Sequence, residues 1–202
     1  MQVHNAIDLT FAQGVRTLLR QDPDIIMIGE IRDLDTAQMA VQASLTGHLV
    51  LSTLHTNDAP SAITRLLDLG LPHYLIASTL NGVLAQRLVR TLCTHCKQPA
   101  VVDAEGWRAL LGPDSTVPPP ATACGPVGCL ECRNTGYFGR VGIYELMPVT
   151  PSLRAKIVPD MALSGFSRTA VDEGLRTLRM AGAEKIAQGV TTVEEVMAVL
   201  PP

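Results

Sequence analysis

Aromatic side chains make up only 3% of this 202-residue sequence: three Phe, three Tyr and a single Trp. So sparse a set offers no row of stacking platforms for single-stranded nucleic acid. Positive charge is not in excess either. Sixteen Lys and Arg against nineteen Asp and Glu leave a formal net charge of −3, without the basic footprint of a general nucleic-acid binder. No apolar run approaches the ~18 residues of a membrane-spanning helix. The opening MQVHNAIDLTFAQG has no basic stretch ahead of an apolar one, so it does not read as a signal peptide. What remains is 47% apolar and 17% charged. That is a globular composition, long enough for a real core in one or two domains.

The most informative stretch is PDIIMIGEIRDLDTAQMAVQASLTGHLVLSTLHTND, residues 23–58. Ile25-Ile26-Met27-Ile28 is a short apolar run between Pro23 and Gly29, and it reads as a strand buried on both faces, as in a parallel sheet. Asp33 is placed to cap a helix over residues 34–46, with Gly47 as its stop. A second apolar run, 49–51, then leads to Leu54-His55-Thr56-Asn57-Asp58. This is a β-α-β pattern that delivers polar residues to one sheet edge, where ligands of open α/β sheets collect. Glu30, just past the first strand, suits either of two jobs at a nucleotide: holding magnesium through water, or orienting an attacking water. His48 and His55 flank the second strand and could hydrogen-bond a terminal phosphate. A plain buried strand ending in a surface acid is the competing reading.

Further on, Cys93-Thr94-His95-Cys96 and Cys129-Leu130-Glu131-Cys132 form two Cys-x-x-Cys pairs. Each such pair makes a knuckle that aims two thiolates at one point. Two knuckles close the tetrahedral sulfur shell of structural zinc and leave no open position for catalysis. The five cysteines thus suit metal binding in a reducing cytosol better than a disulfide framework. Cys124 is a spare, and His95 is an alternative ligand.

The other segments read mainly as packing. An amphipathic helix carries Phe11, Val15, Leu18 and Leu19 on one face, with Arg16 and Arg20 on its polar side. Helices follow Pro60 and, over residues 73–83, Pro72. Residues 105–111 suggest a short helix around Trp107, and 117–121 an extended proline-rich loop. Residues 137–149 read as a turn and short strands, in which Arg140 and Glu145 could pair or face a neighbour. Helices are expected over 153–157, near 168–171, over 178–188, and from a Thr192 cap over 193–200, where Glu194 and Glu195 favour the helix dipole.

The same residues carry a resemblance. GEIRD with its preceding strand resembles the Walker B box of the secretion ATPases of type II secretion systems and the type IV pilus assembly ATPases, and TGHLVLSTLHT resembles their histidine box. AQRLVRTLC, the two Cys-x-x-Cys pairs and GYFGRVGIYELMPV extend the likeness over essentially the whole chain. The cysteine pairs favour the secretion and assembly branches over retraction motors.

The resemblance implies an α/β fold: the C-terminal part of a RecA-like P-loop ATPase core, an inserted tetracysteine zinc-binding subdomain and a small, mostly helical C-terminal subdomain, divided as 1–92, 93–135 and 136–202. It implies that residues 84–92 are a strand of the ATPase core; Arg87 and Arg90 on it read as surface salt-bridge residues, with interface or phosphate contacts as the rival reading. It implies catalytic roles for Glu30, His48 and His55, a nucleotide-side contact for Arg32, and ATP with magnesium as cofactors beside structural zinc. It further implies a cytoplasmic homo-hexamer at the inner membrane, peripheral rather than spanning, engaging membrane-platform proteins and no nucleic acid. The pattern G-x-x-x-x-G-K-S/T is absent. In the family it lies upstream on the same chain, so these residues are expected to be the C-terminal part of such an enzyme, inert alone. An interaction module without activity, docking on a platform protein, is the alternative.

Overall fold

The structure, a computed structural model, describes residues 21, 23–113 and 115–200. The amphipathic helix read around Phe11 to Leu19 lies outside them. The chain forms two compact units. One holds the described residues up to Val83 together with Pro148–Ala170; the other holds Leu84–Met147 together with the described residues from Val171 on.

In the first unit, β1 (Ile25–Ile28), α1 (Leu34–Leu45) and β2 (Leu49–Ser52) make the expected β-α-β element. The strands are parallel, with Ile25 opposite Leu49 and Ile28 opposite Ser52. Asp33 caps α1 by accepting the Thr36 N–H at 2.8 Å, and this bond holds its carboxyl below the usual carboxylate range. Ile26 and Ile28 pack against Ala40 and Ala43 of α1, with Ile31 and Val50 alongside. The other sheet face is open: Ile25 is 58% exposed and Met27 75%, and Leu49 and Leu51 are exposed as well. The reading of a strand buried on both faces is therefore corrected, because α1 covers one face and no described element covers the second. Two short helices, α2 (Ser61–Asp68) and α3 (His73–Thr79), follow. α3 packs on α1 and α2.

The helix read over 73–83 ends early. Leu80 is already extended, and the Asn81 carbonyl accepts the Val149 N–H at 2.9 Å. Asn-Gly is a helix-breaking pair, and the strand β3 (Gly82–Leu92) starts at its glycine. Leu84 is 57% exposed on that strand.

β3 pairs with β6 (Tyr137–Pro148). β6 is one continuous strand rather than a turn with short pieces. Its glycines make this possible: Gly139 takes φ +78°, and a Cβ at Gly142 would lie 2.3 Å from the Tyr144 hydroxyl that covers it. Between these strands lie the two-residue strands β4 (Gln98–Pro99) and β5 (Cys124–Gly125), paired antiparallel, and α4 (Ala104–Leu111), capped by Asp103. Trp107 is buried, with its Nε1–H donating to the Val117 carbonyl at 2.9 Å. After β6 come α5 (Pro151–Lys156), α6 (Leu163–Asp172), α7 (Leu178–Ala187) and α8 (Val193–Val199). Thr150, Thr177 and Thr192 cap α5, α7 and α8. In the second unit α4, α7 and α8 pack together. Among the described residues no helix is long and apolar enough to cross a membrane.

Two acids read from sequence are buried here. The Glu145 carboxylate accepts the Leu178 N–H at 3.0 Å, at the start of α7. Glu195 accepts from two nitrogens of the Arg90 guanidinium, Nε at 2.7 Å and Nη2, and Arg90 also lies over the Tyr137 ring at 4.5 Å. Arg90 is therefore held inside its own unit by residues far along the chain.

Hydrogen bonding to Arg90 holds the Glu195 carboxyl below its ordinary 4.5. A group with a depressed folded pKa adds stability above its unfolded pKa and loses it as pH falls through the folded value. Glu195→Gln is therefore expected to destabilise the unit by about 1–3 kcal/mol at pH 7. The gap to the parent should shrink in thermal melts recorded at successively lower pH below 4.5.

Candidate functional site

The parallel register brings the exits of β1 and β2 side by side. The Ile31 N–H donates to the Thr53 carbonyl at 3.0 Å, and the Thr53 hydroxyl donates to the Gly29 carbonyl at 2.6 Å. These bonds extend the pairing past the strands and fix the spacing of the residues that follow. Glu30 and His55 meet there, His55 Nε2 lying 2.9 Å from Glu30 Oε1. The Arg32 Nε–H donates to Glu30 Oε2 at 2.6 Å. The acid's side chain is sheltered, 19% exposed, while those of Arg32 and His55 are 76% and 88% exposed.

His48 is not brought to this cluster. It precedes β2, at the other end of a four-residue strand, and extended chain of that length spans roughly 13 Å. Its Nδ1 lies 3.0 Å from the Ala43 carbonyl and 3.0 Å from the Thr46 hydroxyl, clasping the end of α1 to the start of β2. Thr53, which ties the two strand exits together, escaped the sequence reading. A threonine one residue past a strand carries no local signal that sets it apart from a surface residue.

A carboxylate has about four lone-pair positions, and two partners use two of Glu30's. The remainder can accept from magnesium-bound water or from an attacking water, so the donor set fits magnesium held at second hand. Arg32 and His55 offer N–H groups to an anion beside it.

The second candidate site is the cysteine tetrad. Cys93 follows β3 directly, and Cys129 and Cys132 lie a few residues before β6. The Cys93 N–H donates to the Gly136 carbonyl at 2.9 Å, which draws the two knuckles together. The Sγ atoms of Cys93, Cys96, Cys129 and Cys132 all lie within 4.8 Å of one another. Three of the separations are 3.8, 3.9 and 3.7 Å. A zinc tetrahedron with Zn–S of about 2.3 Å has sulfur–sulfur edges of about 3.8 Å, so these residues fit zinc. Neither His95 nor Cys124 belongs to the group.

Backbone N–H groups are aimed at the sulfurs: Gly128 at Cys96 (3.3 Å), and Cys129 and Gly136 at Cys132 (3.2 Å each). Burial pushes the Cys93 thiol up to about 11. Burial also pushes at Cys132, but the Cys129 and Gly136 N–H groups outweigh it and bring that thiol down to about 6. The second knuckle thus supplies a ready thiolate. Its turn needs left-handed backbone at Arg133, Asn134 and Gly136. A Cβ at Gly136 would lie 2.4 Å from the Pro126 Cβ.

The family profile described as "Type II/IV secretion system protein" matches residues 1–198, and the chain belongs to this family. Over 201 residues it is 57% identical to the type IV pilus assembly ATPase TfpB of Acinetobacter baylyi, all of this chain matching 34% of that protein. It is 52% identical to the type II secretion system protein HxcR of Pseudomonas aeruginosa and 49% identical to the type II secretion system ATPase E of Vibrio cholerae. In each of these, 98% of this chain matches 38% and 39% of the relative. The chain thus spans somewhat more than a third of the length of the curated relatives it matches.

Among solved structures, the pilus retraction motor PilT with bound ADP superposes at a TM-score of 0.64 with 26% identity, over 96% of this chain and 44% of PilT. The Legionella pneumophila ATPase DotB superposes at 0.63 over 94% and 42%, its 24% identity showing the fold alone. The fold is the α/β fold of these RecA-like ATPases, carrying in addition a cysteine tetrad able to hold a metal.

Protein purified without chelator is expected to carry one zinc per chain by elemental analysis. Cys132→Ser should lose it and lower the melting temperature of the second unit more than that of the first. Structural zinc in small peptides contributes on the order of 10–16 kcal/mol of apparent binding energy. Metal-free protein that melts like the parent would remove the site.

Proposed function

We propose that this chain is part of a motor ATPase that couples ATP hydrolysis to pseudopilus or pilus assembly and type II secretion. The observation that carries the proposal is the meeting of Glu30 and His55 at one strand edge, although the crossover helix and the second strand separate them in sequence. It is supported by membership of a family whose curated members include pilus assembly and secretion ATPases.

In this reading Glu30 is the Walker B acid. Its carboxylate orients the attacking water or accepts from water on magnesium, and magnesium, when bound, neutralises charge on the transferred phosphoryl group. His55 faces the terminal phosphate. Arg32 holds the second Glu30 oxygen and keeps the acid aimed. His48 has a positioning part, through the clasp on α1. The division into 1–92 (distal ATPase core), 93–135 (zinc subdomain) and 136–202 (C-terminal subdomain) belongs to the same proposal. So do a homo-hexamer, inner-membrane platform proteins as partners, and a cytoplasmic, membrane-peripheral location.

Glu30→Gln, placed in a full-length enzyme of this family, is expected to keep ATP binding and lower turnover by about 10²-fold or more, the usual size of an acid–base contribution. Near-parental phosphate release would make Glu30 structural. The 202 residues by themselves contain no phosphate-cradling loop or its lysine, and positioning and charge stabilisation are most of what phosphoryl transfer needs. Titration calorimetry of this chain with Mg-ATP should therefore detect no micromolar binding, and a phosphate-release assay no steady turnover. Turnover that disappears with Glu30→Gln would reveal a complete site within these residues.

A further inference from the structure

The turn between α7 and α8, residues 188–192, is largely buried, and Thr191 within it is fully so. α7 closes on itself: the N–H groups of Gln188, Gly189 and Val190 return to Glu184, Ile186 and Lys185 at 3.0, 2.9 and 3.0 Å. The carbonyls that remain are satisfied from outside the helix. The Leu92 N–H donates to Val190 at 2.8 Å, Lys97 Nζ to Gly189 at 2.7 Å, and the Thr122 hydroxyl to Ala187 at 2.7 Å. These donors sit on the chain that enters and leaves the metal tetrad. Leu92 precedes Cys93, Lys97 follows Cys96, and Thr122 adjoins the β5 strand.

Lys97 is itself part of the first knuckle, since its N–H donates to the Cys93 carbonyl at 2.9 Å. The β4–β5 ribbon beside it has two residue pairs, extended by the Ala100 N–H on the Ala123 carbonyl at 3.0 Å. A ribbon so short has no stability of its own. Its Cys124 sulfur fills the space over Gly189, where a Cβ would come within 2.9 Å of it. α7 and α8 are locked to each other at Gly182, where a Cβ would lie 2.4 Å from Val196 Cγ1. Ribbon, turn and helix pair therefore form one packed body, tied through Leu92 and Lys97 to the chain on either side of the first knuckle.

We infer that the tetracysteine centre is a latch on the C-terminal helix pair. Bound metal fixes the knuckle and with it Lys97 and the β4–β5 ribbon, and these hold the α7–α8 turn. Without metal, the two knuckles meet through single hydrogen bonds, the Cys93 N–H on the Gly136 carbonyl and the Gly128 N–H on the Cys96 sulfur, each far weaker than a zinc–thiolate shell. The knuckle then opens, Lys97 leaves the Gly189 carbonyl, and a buried acceptor is left unpaired. The helix pair loosens with the knuckle. This goes beyond the motor proposal and does not depend on it.

Hydrogen–deuterium exchange on the whole chain, zinc-loaded and after chelation, reads the latch directly. Zinc removal is expected to speed exchange at residues 186–196 by about tenfold or more, with β1 and α1 changing by less than about twofold. Loss of protection confined to 93–100 and 122–136 would overturn the inference. Because chelation can unfold the whole unit, Lys97→Met repeats the test with metal in place. Zinc should stay at one per chain while exchange at 187–192 speeds up by about fivefold, and Lys97→Arg should restore most of the protection. A zinc-loaded Lys97→Met chain with parental exchange in that turn would sink the latch, as would a purified parent chain that holds no zinc.

Discussion

Buried backbone N–H and C=O groups must find partners, and a chain of short helices has many to place. The described helices run from six to twelve residues, so their unpaired ends are a large share of each. Side chains at element ends meet much of this need. Asp33, Asp103, Thr150, Thr177 and Thr192 each accept an N–H at a helix start. His48 reaches the Ala43 carbonyl at the end of α1. Arg154 donates to the carbonyls of Ala77 and Val149. Lys97 and Thr122 do the same for the α7–α8 turn.

This demand competes with chemistry for the same polar residues. His48 and His55 flank one strand and look alike in sequence, yet one clasps a helix end and the other meets a carboxylate. The difference is polarity along the strand: only the C-terminal end of a parallel strand opens onto the ligand edge. Arg90 was read as a salt-bridge residue, with phosphate or a neighbouring subunit as the rival, and it is held by Glu195 and Tyr137 within its own unit. Glu195 both sits in the first turn of α8, where its charge favours the dipole, and binds that arginine.

The two candidate sites arise from two different strand pairings. Glu30 meets His55 because β1 and β2 run parallel and in register, so a residue beyond one strand lies beside a residue beyond the other. The cysteine knuckles converge where β3 ends and β6 begins, through the bond from Cys93 to Gly136. Each site thus inherits its geometry from a backbone ladder, which is stiffer than the loops that carry the functional groups. The exposed apolar residues of β1 and β2 belong to the same first ladder. Four apolar residues in a row suit a strand between two layers, and the described residues provide one of the two.

Short-range patterns were legible in the amino-acid sequence. The β-α-β element, the Asp33 and Thr192 caps and the short helix around Trp107 follow from periodicity and capping chemistry over a few residues. The tetracysteine group follows from the tight spacing within each pair, and the motifs as a set pointed to the family. What the tertiary structure alone decided is long-range pairing. The unbroken β6, the bond from Arg90 to a carboxylate 105 residues away and that from Lys97 to Gly189 all depend on which segments lie side by side. Local spacing constrains backbone geometry over a turn or two. Beyond that the partner of a strand or a side chain is chosen by burial and by the need to pair every enclosed polar group, and those are properties of the folded chain as a whole.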